Sequence, residues 1–207
     1  MKWEKKLELL SYIVFDLQLI HFNDIIHCDL HSGNIFQNDL YNAYIGDLGI
    51  AILVYKTLDK ESKGIYGALL YVALEALQGS PFTKASNIYS FGMIMWKISL
   101  GNYVFSNYKN NDSSLVIEIC FKELRPNILK GTPTCYAELL KRCWDKNPNN
   151  HPSAIEVHET ILKWKNSTEI LANFLRSDEK MEIEDNGFDN VKDSTIHTSY
   201  FISYINQ

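Results

Sequence analysis

The sequence predicts a mainly α-helical domain with one short β-hairpin. Three observations predict it. Long apolar runs over residues 7–22 and 85–100 lack the alternation of strands. Two short triplets, Ile35-Phe36-Gln37 and Ala43-Tyr44-Ile45, flank a turn at Asn38-Asp39. After residue 176 the composition turns acidic and polar.

The size and composition fit this class. The 207 residues suffice for one domain with a real core. The 46% hydrophobic and 22% charged fractions are those of a globular protein. The formal net charge is −5. Residues 177–193 hold seven acids (Asp178, Glu179, Glu182, Glu184, Asp185, Asp189, Asp193) against Lys180 and Lys192, so the rest is close to neutral. No basic stripe favours nucleic acid or an anionic membrane as partner. The four cysteines, at 28, 120, 135 and 143, form no C-x-x-C pair. That usage points to a reducing, cytoplasmic setting.

In chain order, residues 7–22 read as a helix apolar nearly all round, through Leu9, Leu10, Ile13, Val14, Phe15, Leu17, Leu19 and Ile20. Such a helix belongs in the middle of a core. Met1, Lys2, Lys5 and Lys6 before it resemble the start of a signal peptide. Glu8 and Asp16 interrupt the run, and no small-residue cleavage site follows. The expectation is a buried helix, with neither signal peptide nor transmembrane span. Asn23-Asp24 ends it, and Ile25-Ile26 is a short strand. The hairpin then brings Asn34 and Asp47 side by side. Residues 49–67, with Lys56, Asp59, Lys60, Glu61 and Lys63, read as a mobile loop. Helices follow over 85–100, 115–121, 136–144 and 154–164. Ser153 and Glu156 predict a capping box on the last of these. The organisation is a folded domain over 1–166, a helical extension over 167–176 and a disordered tail over 177–207. Within that tail, residues 200–205 are apolar enough to dock.

The densest chemistry is His27-Cys28-Asp29-Leu30-His31-Ser32-Gly33-Asn34, followed by Asp47-Leu48-Gly49. One carboxylate, one carboxamide and a second carboxylate stand in two loops joined by the hairpin. Asp29 can accept a hydroxyl proton. Asn34 and Asp47 are oxygen ligands of the kind Mg²⁺ takes. Singly, a lone H-x-D marks a core histidine and a lone D-x-G a turn. His21, His27 and His31 with Cys28 and Asp29 match no zinc spacing.

The ordered set says more. After D-L-G come Gly67-Ala-Leu-Leu-Tyr-Val-Ala-Leu-Glu75, then Ser86-Asn-Ile-Tyr-Ser-Phe-Gly-Met-Ile-Met-Trp96, then Arg125-Pro126. Cys143-Trp-Asp-Lys-Asn-Pro148 and His151-Pro152 close the series. This order resembles the C-terminal lobe of a eukaryotic protein kinase, most similar to the tyrosine-kinase-like branch. The resemblance implies a protein kinase-like C-lobe fold and ATP- and Mg²⁺-dependent phosphoryl transfer to protein Ser/Thr or Tyr. It makes Asp29 the catalytic base and puts His31 beside it, where most Ser/Thr kinases have Lys. It makes Asn34 and Asp47 the Mg²⁺ ligands of the ATP site. It places Thr57, Ser62 and Tyr66 in the activation segment, and implies a protein substrate or partner on the C-lobe.

The pattern also breaks. No G-x-G-x-x-G occurs, and the strand Lys and helix Glu of the family's small lobe have no counterpart before residue 7. The expected ATP site is therefore incomplete, and the chain weakly active or inactive alone. Cys28 replaces the Arg that couples the catalytic loop to an activation-loop phosphate. Leu70 and Leu74 replace two Pro. Asn87 replaces a helix Asp, whose acceptor role its amide oxygen could keep in part. His151 replaces the Arg that pairs with the Glu at position 75. The alternative expectation is a pseudokinase binding module or a degenerate kinase fragment.

Overall fold

A computed structural model describes residues 1–38, 42–54, 64–100, 113–184 and 199–203. Helix α1 (Trp3–Phe22) is its axis. Trp3, Leu7, Leu10, Ile13, Val14 and Leu17 are fully buried, the three- and four-residue spacing of one helix face. The opposite face leaves Phe15, Leu19 and Phe22 exposed, so α1 is not enclosed all round as its composition suggests. Buried Lys6 donates Nζ to Ser99 O at 2.7 Å and stacks over the Trp3 ring.

The chain continues through β1 (Ile25–Ile26), β2 (Ile35–Gln37), β3 (Ala43–Ile45), β4 (Ile52–Leu53), β5 (Gly64–Gly67) and α2 (Leu74–Leu77). Then come α3 (Lys84–Leu100), α4 (Ser113–Phe121), α5 (Thr134–Cys143), α6 (Ala154–Asn166), α7 (Thr168–Glu184) and β6 (Tyr200–Ser203). Helices α3, α6 and α7 pack on α1. Trp3 anchors an aromatic cluster, 4.7 Å from the Tyr136 ring and 5.2 Å from Phe174. Tyr136 donates its hydroxyl to Met95 O at 2.6 Å, so the buried phenol is satisfied. Gly92 lets α3 approach α5: a Cβ there would lie 2.8 Å from the Cys143 Cβ. Arg125 donates to Trp144 O at 3.0 Å and joins two of the sequence blocks. No helix among the described residues is long and apolar enough to cross a membrane.

Three expectations need correction. The tail predicted as disordered from residue 177 is helical through Glu184. Its acids are specific there: Asp178 accepts from Trp3 N at 3.0 Å and caps α1, while Ser177 Oγ accepts from Trp3 Nε1 at 3.1 Å. A carboxylate suits that position, the positive end of a helix. Residues 200–203 do dock, as β6 on β5. The loop predicted over 49–67 carries β4 and β5 at its two ends. Its centre, with Thr57 and Ser62, lies outside the described residues, as do Asp39 and residues 185–198. The capping box on α6 has one arm only. Ser153 Oγ accepts from Glu156 N at 3.2 Å, but Glu156 Oε1 pairs with Arg142. His151, which replaces the Arg that pairs with Glu75 in the family pattern, bonds elsewhere. Its ring nitrogens lie 3.0 Å from Ala85 O and 2.9 Å from Asp145 O. Glu75 instead accepts from Ser86 Oγ at 3.1 Å.

Candidate active site

Nested strand pairing builds the site. β2 pairs antiparallel with β3, and outside that hairpin β1 pairs antiparallel with β4. The loops at 27–34 and 46–51 lie between inner and outer pairs, so they must run side by side. Asp16 on α1 supports the arrangement, accepting from Ile45 N at 3.0 Å. The charge that interrupts the apolar run of α1 thus satisfies a strand edge.

Two bonds tie the loops together, and two more shape the first loop. His27 donates Nε2 to Gly46 O at 2.9 Å, and its Nδ1 accepts from Asp29 N at 3.3 Å. That pairing assigns the ring proton to Nε2. Asn34 Nδ2 donates to Asp29 O at 2.9 Å. Gly46 N donates to Asn34 O at 2.9 Å. Asp29, Asn34 and the residue before Asp47 are therefore linked directly, and the structure gathers what the sequence singled out. Cys28 and Asp47 sit at φ 64° and 59°, a left-handed backbone that costs a non-glycine residue about 1–2 kcal/mol. The bonds to His27, Asn34 and Gly46 hold that strain in place.

The floor of the site is α3. Asn87 Oδ1 accepts from His27 N at 2.9 Å and lies 3.2 Å from His21 Nε2. The amide at position 87 thus accepts from the backbone of the 27–34 loop, as its chemistry allows. Burial pushes the His21 pKa down to about 4, only partly offset by its bond to Asn87. Leu70 and Leu74, where the family pattern has Pro, are buried core side chains. Cys28 is also buried, and desolvation pushes its thiol up to about 12. It is uncharged and cannot do what an Arg does with a phosphate.

The Asp29 side chain is only 10% exposed. Its Oδ1 accepts from Ala68 N at 3.3 Å and its Oδ2 from Ser199 Oγ at 2.5 Å. His31 accepts from Gly33 N at Nδ1, 3.0 Å away, which leaves the proton on Nε2. That nitrogen faces Asp29 Oδ2 at 3.8 Å and Ser199 Oγ at 3.3 Å. Burial lowers the His31 pKa, partly opposed by the Asp29 charge. Beneath the loop, Lys97 Nζ donates to Ser32 Oγ at 2.7 Å, and Ser32 Oγ lies 3.0 Å from Tyr71 Oη. Lys97 and Ser199 escaped the sequence reading. Lys97 had a signal, as the one charged residue in the apolar run 85–100.

Asn34 is buried, whereas Asp47 is exposed, with Oδ1 3.4 Å from Gly49 N. The amide oxygen and the open carboxylate are hard oxygen donors, and the pair fits Mg²⁺. Around Asp47 the surface is apolar: Phe36, Tyr44, Leu48 and Ile50 are all exposed.

Comparison with known proteins agrees with this geometry. A family model described as protein tyrosine and serine/threonine kinase matches residues 1–161. The chain is 27% identical to the serine/threonine/tyrosine-protein kinase HT1 of Arabidopsis thaliana, over 78% of this chain and 40% of that protein. It is 32% identical to the dual specificity protein kinase shkA of Dictyostelium discoideum, over 66% of this chain and 27% of that protein. The stress-activated protein kinase alpha of the same organism is 28% identical, over 79% of this chain and 27% of its own length. The chain spans less than half the length of each of these relatives. With the loop pair, its α-helical floor and a match over most of its length, the chain belongs to the protein tyrosine and serine/threonine kinase family.

Proposed function

We propose that this chain carries the base and the metal ligands of a phosphoryl-transfer site acting on a protein hydroxyl. Asp29 takes the proton of the acceptor hydroxyl at Oδ2. His31 directs its Nε2–H at the same position and orients that hydroxyl. Asn34, through its amide oxygen, and Asp47, through its carboxylate, hold Mg²⁺. Bound Mg²⁺–ATP supplies the phosphoryl group and the charge neutralisation that transfer needs. Lys97, Ser32 and Tyr71 brace the loop from below. The free cysteines fit the cytoplasm as the place of action.

The observation that carries this reading is the pair of bonds from His27 and Asn34 to Gly46, which fixes the two loops against each other. The test measures Mg²⁺-dependent ATP binding and phosphoryl transfer to Ser, Thr and Tyr peptides. Asp47→Ala is expected to abolish the Mg²⁺ dependence of binding. Asp29→Asn is expected to leave binding intact and to lower transfer about 10²-fold or more, the usual share of a general base. Transfer that survives Asp29→Asn contradicts the assignment. So does the absence of both transfer and Mg²⁺-dependent binding.

A second reading, a module that holds a peptide without turnover, is favoured by Cys28. A buried neutral thiol cannot link an activation-loop phosphate to the base. Peptide binding without any transfer selects this second reading.

A further inference from the structure

The edge of β5 beside Asp29 is covered by the chain's own C-terminal region. β6 lies antiparallel on it, with Gly64 opposite Ser203, Ile65 opposite Ile202, Tyr66 opposite Phe201 and Gly67 opposite Tyr200. The next residues along, Ala68 and Ser199, both end on Asp29. Its Oδ1 takes the Ala68 N–H and its Oδ2 the Ser199 hydroxyl, at 2.5 Å. One carboxylate therefore closes the ladder and holds a serine hydroxyl where the base acts.

We propose that Ser199–Ser203 is a tethered occupant of the acceptor-peptide groove, with Ser199 in the position of the hydroxyl to be deprotonated. The proposal rests on the assignment of Asp29 as the base. Two further observations support a built groove. Gly64 leaves room for the close approach of β6: a Cβ there would lie 2.1 Å from Ile202 O and 2.8 Å from Phe201 Cζ. Strand alternation also gives the residues distinct roles. Ile202 turns inward on Ile65, and both are 6% exposed. Phe201 turns outward onto the Tyr66 ring, 5.6 Å away in an edge-to-face contact. The groove thus selects an extended peptide with a hydroxyl residue first and an aliphatic residue three positions later. Main-chain pairing supplies affinity, and the Ile65 contact supplies selectivity. A tethered segment of this kind competes at an effective concentration on the order of millimolar, so a free peptide must displace it.

The test is binding of a fluorescent peptide spanning residues 197–205 to the full chain, with no nucleotide present. Ile202→Asp sets a carboxylate against Ile65 and should release β6. Its affinity for the peptide should then rise about tenfold or more over the parent chain. Gly64→Val, in the receiving strand, should abolish peptide binding by the Ile202→Asp chain. Thermal melting checks that each variant folds. Equal affinity in the parent and Ile202→Asp chains overturns the proposal, as does binding that survives Gly64→Val. A second measurement needs neither variant. In the full chain, Tyr66→Cys with Phe201→Cys should form an intrachain disulfide on mild oxidation, because the pair is in register. Failure to form it also overturns the proposal. Neither readout involves transfer, so each stands apart from the test of Asp29 as the base.

Discussion

The two loops of the site are held in different ways. The loop of Asp29 and Asn34 is fixed by buried and half-buried groups: Asn87 under His27 N, Asn34 Nδ2 on Asp29 O, and the half-buried Lys97 under Ser32. The loop of Asp47 is exposed, and its ties are backbone ones, through Gly46 and from Ala51 N to Leu48 O. The contrast separates two tasks. In the proposed roles, the base is held by the protein's own groups before any ligand arrives, whereas the metal-binding carboxylate stands open to solvent. The contrast also explains which departures from the family pattern are absorbed. Beneath the buried loop, Asn87 keeps the hydrogen bond to its backbone, and within it Cys28 is buried as a neutral thiol. At the periphery, the His151 ring lies between the Ala85 and Asp145 carbonyls and not on Glu75.

The largest expected effect tests this contrast directly. Asn87→Ala strands the buried His27 N–H and removes the partner of His21. It should cost about 4 kcal/mol, from two unsatisfied buried groups. Asp47→Asn, which tolerates the left-handed backbone, should stay within about 0.5 kcal/mol. Urea unfolding measures both, and equal costs break the comparison.

The next effect concerns pH. The folded-state pKa of His21 lies at about 4, below its ordinary value of 6.5. The unfolded chain therefore binds the proton first as pH falls. The stabilisation from a neutral His21 is fully present above pH 6.5 and is lost as pH falls toward 4. Its full size is on the order of 3 kcal/mol, at 1.36 kcal/mol per pH unit. His21→Gln should lower the proton uptake on unfolding in that window by about one. Asn87→Asp sharpens the point: a carboxylate facing His21 should raise its pKa, so this residue's contribution would then grow as pH falls. Unfolding curves at a series of pH values decide between these signs.

The smallest effect is at the surface. Arg142 and Glu156 are each about half exposed, at 50% and 48%. Breaking that pair with Arg142→Ala should change stability by no more than about 1 kcal/mol. A larger loss would mean that the periphery is built as tightly as the floor.

Much of this was legible in the residues. The helices show because apolar runs at helical spacing are local signals, and the family shows because its motifs come in a fixed order. The hairpin was legible from its turn. What escaped was nonlocal. Composition made the segment after Ser177 look disordered, yet Asp178 is the cap of α1, at the other end of the chain. The partner of β6 is a strand far earlier in sequence, and no local pattern records that pairing. The partners of His151 are backbone carbonyls, which leave no trace in side-chain identity. Asp16 looked like a defect in an apolar helix, and its role appears only once β3 is beside it.

The proposed function makes Asn34 and Asp47 one metal site joined to the Asp29 loop. Nuclear magnetic resonance with Mn²⁺–ATP in place of Mg²⁺–ATP tests it without requiring turnover. Paramagnetic broadening should centre on the Asn34 side-chain amide and the backbone of residues 46–49, and Asp47→Ala should remove it. Broadening centred instead on the acidic residues 177–193, or broadening that Asp47→Ala leaves unchanged, would contradict the account.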